Sequence, residues 1–199
     1  MKIKIFKLSV IILLFSFISA GCQKDDIFEL DIGDENAVIQ KEIDGIEFKF
    51  CLLNKEEEPA TIFNEGENFT FYFSVTNKST QDLFFDPNFA YTNDNDFCRI
   101  YSSNNQNLGK PFIFSGYDKL GLGAYPFASG QTYTYQEQWI DDRDSIWTWQ
   151  HGYYNSAKQA HLIKGDYYTS FKYRFRFSAF NGETLDTDTI RFKINFKIQ

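Results

Sequence analysis

The sequence predicts an all-β protein, built as a single antiparallel β-sandwich of about seven to nine strands. Apolar and polar residues alternate with a period of two along much of the chain, as they do in half-buried strands. Aromatic residues make up 19% of the 199 residues, with 23 Phe and 12 Tyr, and aromatic residues favour strands. No long stretch has the i, i+3, i+4, i+7 spacing of an amphipathic helix.

The individual strands follow from this alternation, taken in order along the chain. Four apolar side chains share one face of "IEFKFCL" (46–52), and the same holds for "FTFYFSV" (69–75). The runs "DLFF" and Phe97–Ser102 are shorter, and "QTYTYQEQWI" alternates again. The clearest hairpin is Tyr167–Phe180, the turn "NGET" and Thr189–Ile198. Short strands separated by turn signals are typical of a sandwich.

The N-terminus has the pattern of an export signal. Three lysines precede an apolar segment from Leu8 to Ile18, and the small residues "SAG" follow. This is the order of a signal peptide, in which a cleavage site ends the apolar region. The apolar segment is shorter than the roughly 20 residues that span a bilayer. We therefore expect residues 1–21 to be removed.

Cys22 stands where the small residues end, and this segment resembles a bacterial lipoprotein signal. The resemblance implies cleavage before Cys22 and acylation of its thiol and amine, so that several lipid chains hold the protein on the membrane. The stretch "CQKDD" resembles the export signal of Bacteroidota surface lipoproteins, in which Lys24, Asp25 and Asp26 would direct the protein to the outer face of the outer membrane. The alternatives are an ordinary secretory signal with a chance cysteine, and acidic residues that serve only as a soluble tether.

Residues 22–42 are predicted to form an acidic tether, and residues 43–199 to form the sandwich. Six acidic residues lie between positions 25 and 35, and their mutual repulsion favours an extended chain. Loss of residues 1–21 removes three lysines and no acids, which changes the formal charge from −7 to −10. A chain with this charge has no general attraction to nucleic acid.

Two cysteines remain if Cys22 is acylated. Cys51 and Cys98 each fall in a strand-like run. An even pair in an exported protein is compatible with a disulfide. The alternative is two separate buried thiols, which pack as small apolar side chains. The residues alone leave both open.

Three further segments resemble an immunoglobulin-like module: "NEGENFTFYFSVTNKST", "ASGQTYTYQEQW" and "LIKGDYYTSFKY". Their order is similar to that of the BsuPI family of intracellular proteinase inhibitors, across roughly residues 46–173. The sequence departs from the family where a Pro-Gly-Glu turn is replaced by Ser129-Gly130-Gln131, and in a long insert before Gly165. The resemblance implies an immunoglobulin-like fold and adds proteinase inhibition as an alternative function.

The long insert carries a cluster of aromatic residues, and long connections often bear function on a rigid sandwich. Flat rings stack on sugar faces, so a glycan or protein site is one hypothesis. The alternative is that Trp147 and Trp149 belong to a further strand and pack on the core. The candidate ligand-binding residues are Trp139, Trp147, Trp149, Tyr153 and Tyr154.

The last hairpin places basic residues on its polar face, which suits an anionic glycan or peptide. The alternative is that they form the solvated side of an antiparallel sheet, where lysines also protect the edge. These residues are Lys172, Arg174, Arg176, Arg191, Lys193 and Lys197.

The sequence contains no recognised catalytic or cofactor motif: no G-x-S-x-G, no P-loop and no dinucleotide fingerprint. His151 and His161 stand apart from any Cys/His cluster, which gives no zinc pattern. We therefore expect no enzymatic activity, no cofactor and no metal. The predicted function is that of a lipid-anchored outer-membrane protein, exposed on the cell surface, which binds a protein or envelope partner. The alternatives are a glycan-binding accessory lipoprotein using the insert at 139–154, and a proteinase inhibitor.

Overall fold

A computed structural model describes residues 26–87, 96–111, 124–139 and 161–199, together with the backbone of 147–150 and 153–156. Cys22, Lys24 and Asp25 lie outside these residues. The described part contains sixteen strands, and it contains no helix long and apolar enough to cross a membrane. The strands are β1 (Asp26–Leu30), β2 (Val38–Ile43), β3 (Ile46–Leu53), β4 (Ile62–Phe63), β5 (Phe69–Asn77), β6 (Leu83–Phe85), β7 (Ile100–Ser102), β8 (Asn107–Gly109), β9 (Tyr125–Phe127), β10 (Thr132–Trp139), β11 (Trp147–Gln150), β12 (Tyr153–Ser156), β13 (Gly165–Tyr173), β14 (Arg176–Ala179), β15 (Thr184–Asp186) and β16 (Ile190–Ile198).

Two sheets pack face to face. Sheet A has the order β1-β16-β13-β7-β8, with β4 also beside β16, and sheet B has the order β10-β5-β3-β2. A smaller sheet C has the order β15-β14-β6-β9, and β11 and β12 form a separate hairpin. All pairings between these strands are antiparallel except those of β1 and β4, which run parallel to β16. The predicted immunoglobulin-like β-sandwich is confirmed: seven of the sixteen strands have five residues or more, within the predicted seven to nine, and the other nine are shorter.

The alternating apolar residues fill one core between sheets A and B. Phe50 and Phe73 of sheet B each lie with their ring centroid 5.3 Å from that of Phe171 in sheet A, at right angles to it. Phe73 also lies 5.4 Å from Phe192. Edge-to-face contacts of this kind suit the charge distribution of aromatic rings, and burial of each ring stabilises the fold by roughly 1.5–3 kcal/mol.

The predicted C-terminal hairpin is one long ladder that joins sheets A and C. The β13–β16 register ends at Tyr173 opposite Ile190. Pairing then continues at Phe175 and Thr187, where the backbone N–H of Thr187 donates to the carbonyl of Phe175 at 2.9 Å. It resumes in β14 and β15, which close at the turn after Ala179. This end of the sandwich therefore extends beyond the end of β13.

The predicted boundary between tether and sandwich, at residues 42 and 43, is wrong. β1 pairs with β16 from Asp26 opposite Ile190 onwards, and β2 pairs with β3 along its whole length. Leu30 and Ile39 are buried. Phe28 and Leu30 share one face of β1 and pack on the core, whereas Glu29 lies on the other face and stays exposed. Asp26, the third residue of the predicted export signal, is the first residue of β1.

Cys51 and Cys98 are separate buried thiols rather than a disulfide. Successive residues of a strand point to opposite faces of its sheet, so Cys51 points away from the core that Phe50 and Leu52 fill, whereas Cys98 lies within the core. Burial raises the pKa of the Cys51 thiol to about 12. The thiol is therefore protonated and unreactive at neutral pH.

Candidate binding site on sheet A

The aromatic residues that the sequence predicts to bind a ligand lie in three different strands. Trp139 is 1% exposed, and its indole stacks on Phe69 with the centroids 6.3 Å apart. The prediction that Trp139 binds a ligand is wrong, because Trp139 ends β10 on the face that points to the core. Trp147 and Trp149 lie in β11, and Tyr153 and Tyr154 lie in β12. Their side chains lie outside the described part of the structure, so their role in binding stays a prediction.

Two adjoining depressions lie on the outer face of sheet A, one of about 680 Å³ and a smaller one that contains Lys172 and Tyr101, and we call them together the outer groove. Strands β13 and β16 bury their apolar residues and therefore turn every second side chain outward into this groove. Side chains at matching register positions of neighbouring strands form three rows across this face of the sheet. From the start of β1, the rows are Ile27–Arg191–Lys172, Glu29–Lys193–Ser170 and Asn195–Tyr168–Tyr101.

The middle row is an ion pair that is complete within the protein. Lys193 Nζ donates to Glu29 Oε1 at 2.6 Å, and Asn195 Nδ2 donates to the same oxygen at 2.8 Å. Both hydrogen bonds lower the pKa of Glu29 below its usual value, and the one from Lys193 has the larger effect. Lys193 Nζ also lies 5.3 Å from the ring centroid of Tyr168, within reach of a cation–π interaction.

The third row is an aromatic platform. The rings of Tyr101 and Tyr168 stack with their centroids 5.0 Å apart and an interplanar angle of 13°. The Tyr168 hydroxyl donates to Asn105 Oδ1 at 2.8 Å, which fixes the ring. Burial, the largest cause, raises the pKa of Tyr101, so its hydroxyl stays protonated in neutral solution.

The first row brings two cations together. Lys172 and Arg191 are directly opposite across the β13–β16 ladder. Among the described residues neither has an ion-pair partner, and the Nε of Arg191 is buried there without a hydrogen bond. Like charges opposite each other destabilise a sheet, and an unsatisfied buried donor costs about 1–3 kcal/mol. Asp96 lines the same depression, but Arg99 binds its carboxylate at 2.8 Å. An anion would therefore stabilise this row.

The predicted basic face is divided between two sheets. Lys172, Arg191, Lys193 and Lys197 lie along the outer face of sheet A, where Lys197 is solvent-exposed. Arg174 and Arg176 instead lie at the start of sheet C, and both bind the carboxylate of Asp186 at 3.1 Å. Only part of the hairpin's positive charge is thus available to a ligand in the outer groove.

The sequence analysis did not identify the residues that lie beside the basic side chains of the outer groove. Tyr168 lies on the same alternation as Lys172, a signal that a search of the polar face for aromatic residues would have found. Tyr101 and Glu29 come from β7 and β1, and only the strand order places them beside β13 and β16. In the described residues no group of three or more His, Cys, Asp or Glu is placed to hold a metal ion.

Comparisons with known proteins show no family for this chain. No protein-family model matches it, and no curated protein is significantly similar. Structural comparison finds a protein assigned as ApaA from Bordetella pertussis, 9% identical over 74% of this chain and 90% of that one, with a TM-score of 0.33. A Northeast Structural Genomics Consortium target is 11% identical over 77% and 88%, with a TM-score of 0.34. The CooA pilin subunit from enterotoxigenic Escherichia coli is 13% identical over 74% and 98%, with a TM-score of 0.24. Similarities this low carry no argument about function.

Proposed function

We propose that this protein is a lipid-anchored outer-membrane protein, exposed on the cell surface, which binds a partner without catalysis through its outer groove. The anchor is the acylated Cys22, supported by the small residues and the apolar segment before it and by the "KDD" stretch after it. The observation that carries the binding role is the Lys172–Arg191 pair, two adjacent cations with a buried donor that no described residue satisfies.

The partner contributes an anionic group to this pair. A guanidinium presents a planar set of donors that matches a carboxylate or a phosphate, and the Lys172 ammonium adds a second charge. The ion pair of the middle row and the stacked tyrosines of the third row then offer polar and apolar contacts further along the same groove. A ligand that spans the groove would meet all three rows.

The test measures binding of a carboxylated polymer to the lipidated protein in detergent. Polygalacturonate serves as the acidic saccharide, neutral dextran as its uncharged control and a glutamate-rich peptide as the protein-like ligand. Arg191→Gln should weaken binding about tenfold or more, because a hydrogen bond to a charged group is worth about 1.5–3 kcal/mol and each 1.4 kcal/mol is about tenfold in affinity. Lys197→Gln removes the same charge at the far end of the same strand and should have little effect.

Comparison of the ligands identifies the source of the anionic group. Binding of polygalacturonate alone indicates an envelope glycan, and binding of the peptide alone indicates a protein partner. Equal binding of dextran and polygalacturonate, or equal losses in the two variants, would contradict the proposal. The two alternatives from the sequence, a glycan site in the insert and proteinase inhibition, have no supporting contact among the described residues.

A further inference from the structure

We propose that the tip of the last hairpin, residues 180–183, inserts into the membrane surface and orients the sandwich. The proposal rests on the lipid anchor at Cys22 proposed above, and goes beyond it by naming the part of the domain that touches lipid. It is carried by the position of β1, by the course of the hairpin ladder and by the exposure of Phe180.

The first step is the reach of the anchor. Three residues separate Cys22 from Asp26, and four extended residues span at most about 14 Å. Asp26 is held in sheet A opposite Ile190. An acyl chain on Cys22 therefore keeps the start of β1 within that distance of the membrane surface, whatever conformation the three intervening residues adopt. A tether of 20 residues would have left the orientation of the domain free.

The second step identifies the end of the sandwich that faces the membrane. Asp26 is level with Ile190, and Ile190 is level with Tyr173 at the end of β13. The ladder continues from there into β14 and β15, so their turn lies beyond the start of β1 at the same end of the molecule. The β7–β8 turn lies at the opposite end, where the N–H of Ser103 donates to the carbonyl of Asp166, near the start of β13.

The third step is the chemistry of the tip. Phe180 is 73% exposed, the highest value among the large apolar side chains described, and its ring centroid lies 4.6 Å from that of Phe84. Removal of a phenylalanine side chain from water is worth roughly 1.5–3 kcal/mol, and phenylalanine is one of the residues that membrane-surface segments bury at the headgroup boundary. The covalent lipid already holds the protein at the membrane. The free energy of burying Phe180 therefore has only to favour one orientation of the domain over the others.

One consequence concerns the outer groove. With the tip in the membrane, the strands of sheet A run away from the membrane surface. The outer groove lies on the face of this sheet and therefore opens sideways, with Lys172 and Arg191 at its membrane end. A ligand approaches along the cell surface rather than through the membrane.

The experiment places one environment-sensitive fluorophore at either end of the lipidated full chain. Glu183→Cys marks the tip and leaves Phe180 in place, and Ile163→Cys is the matched control, since Glu183 is exposed and Ile163 is 62% exposed just before β13 at the opposite end. The buried thiols of Cys51 and Cys98 do not compete for the label because burial raises their pKa. The labelled proteins are reconstituted into phosphatidylethanolamine–phosphatidylglycerol vesicles that carry a nitroxide quencher on the lipid.

We expect quenching at position 183 to exceed quenching at position 163 by about threefold or more, with a blue-shifted emission, because only the tip reaches the lipid. Equal quenching at both positions in protein that floats with the vesicles would overturn the orientation and leave the anchor intact. Protein that carries no lipid and does not float would contradict the anchor itself, and the orientation would fail with it.

Discussion

At the scale of single residues, Asn77 joins the end of β5 to the loops beside it. Its side chain is fully buried, and its Nδ2 donates to the carbonyls of Gln81 and Phe127 at 2.8 and 2.9 Å. Its Oδ1 accepts from the N–H and hydroxyl of Ser79. All the hydrogen bonds that an amide side chain can make are therefore used.

The change Asn77→Asp tests this role. It replaces two donors with a carboxylate oxygen that faces two carbonyl oxygens, so we expect the free energy of unfolding to fall by about 2–4 kcal/mol. Denaturant unfolding of both variants measures the loss. Asn107→Asp is the control, because its Oδ1 only accepts from the N–H of Gly109 and an aspartate keeps that bond. Similar losses in the two variants would contradict the role assigned to Asn77.

At the scale of elements, the β2–β3 hairpin depends on a two-residue turn. Asp44 and Gly45 both have positive φ, 50° and 78°, as the favoured two-residue hairpin turn requires. A Cβ added to Gly45 would lie 3.1 Å from the Cβ of Ser79, and the Gly45 carbonyl accepts from the N–H of Lys78 at 2.7 Å. The turn therefore packs directly against the loop that follows β5.

The change Gly45→Ala should lower the free energy of unfolding by about 2–3 kcal/mol, because strain at positive φ adds to the close contact with Ser79. Gly33→Ala is the control. Gly33 has φ +83°, but an added Cβ there would meet nothing within 4 Å, so its loss should be about 1 kcal/mol from backbone strain alone. Thermal unfolding of the pair separates the two causes, and equal losses would show that the Ser79 contact is unimportant.

The β2–β3 hairpin also shows which parts of the fold can be predicted from the sequence. Period-two alternation located the long strands and their apolar faces correctly, because burial of one face leaves a local pattern. The Asp-Gly dipeptide between Ile43 and Ile46 was an equally local signal, but the density of acidic residues before it favoured a tether. The pairing of β1 with β16 leaves no local signal, since the partners lie at opposite ends of the chain. The rows of the outer groove depend on that strand order, so they could not be predicted from the sequence for the same reason.

At the scale of the whole molecule, β1 links the N-terminal segment to the stability of the sandwich. Phe28 packs edge to face on Phe192 at 5.7 Å, Leu30 is buried, and Glu29 binds Lys193. The two apolar contacts together stabilise the fold by a few kcal/mol, at roughly 1.5–3 kcal/mol for each fully buried side chain. The exposed ion pair adds less, since such pairs are worth about 0–1 kcal/mol.

Three chains that begin at Gln23, Asp26 and Ile32 test whether this segment is a strand or a tether. The first two should unfold at the same denaturant concentration, because both contain all of β1. The third lacks β1 and should lose about 2–5 kcal/mol, since it exposes the Phe192 edge of sheet A to water. If all three unfold alike, residues 26–31 act as a tether in solution. The start of β1 would then no longer hold the hairpin tip near the membrane, and the orientation inferred from it would lose its basis.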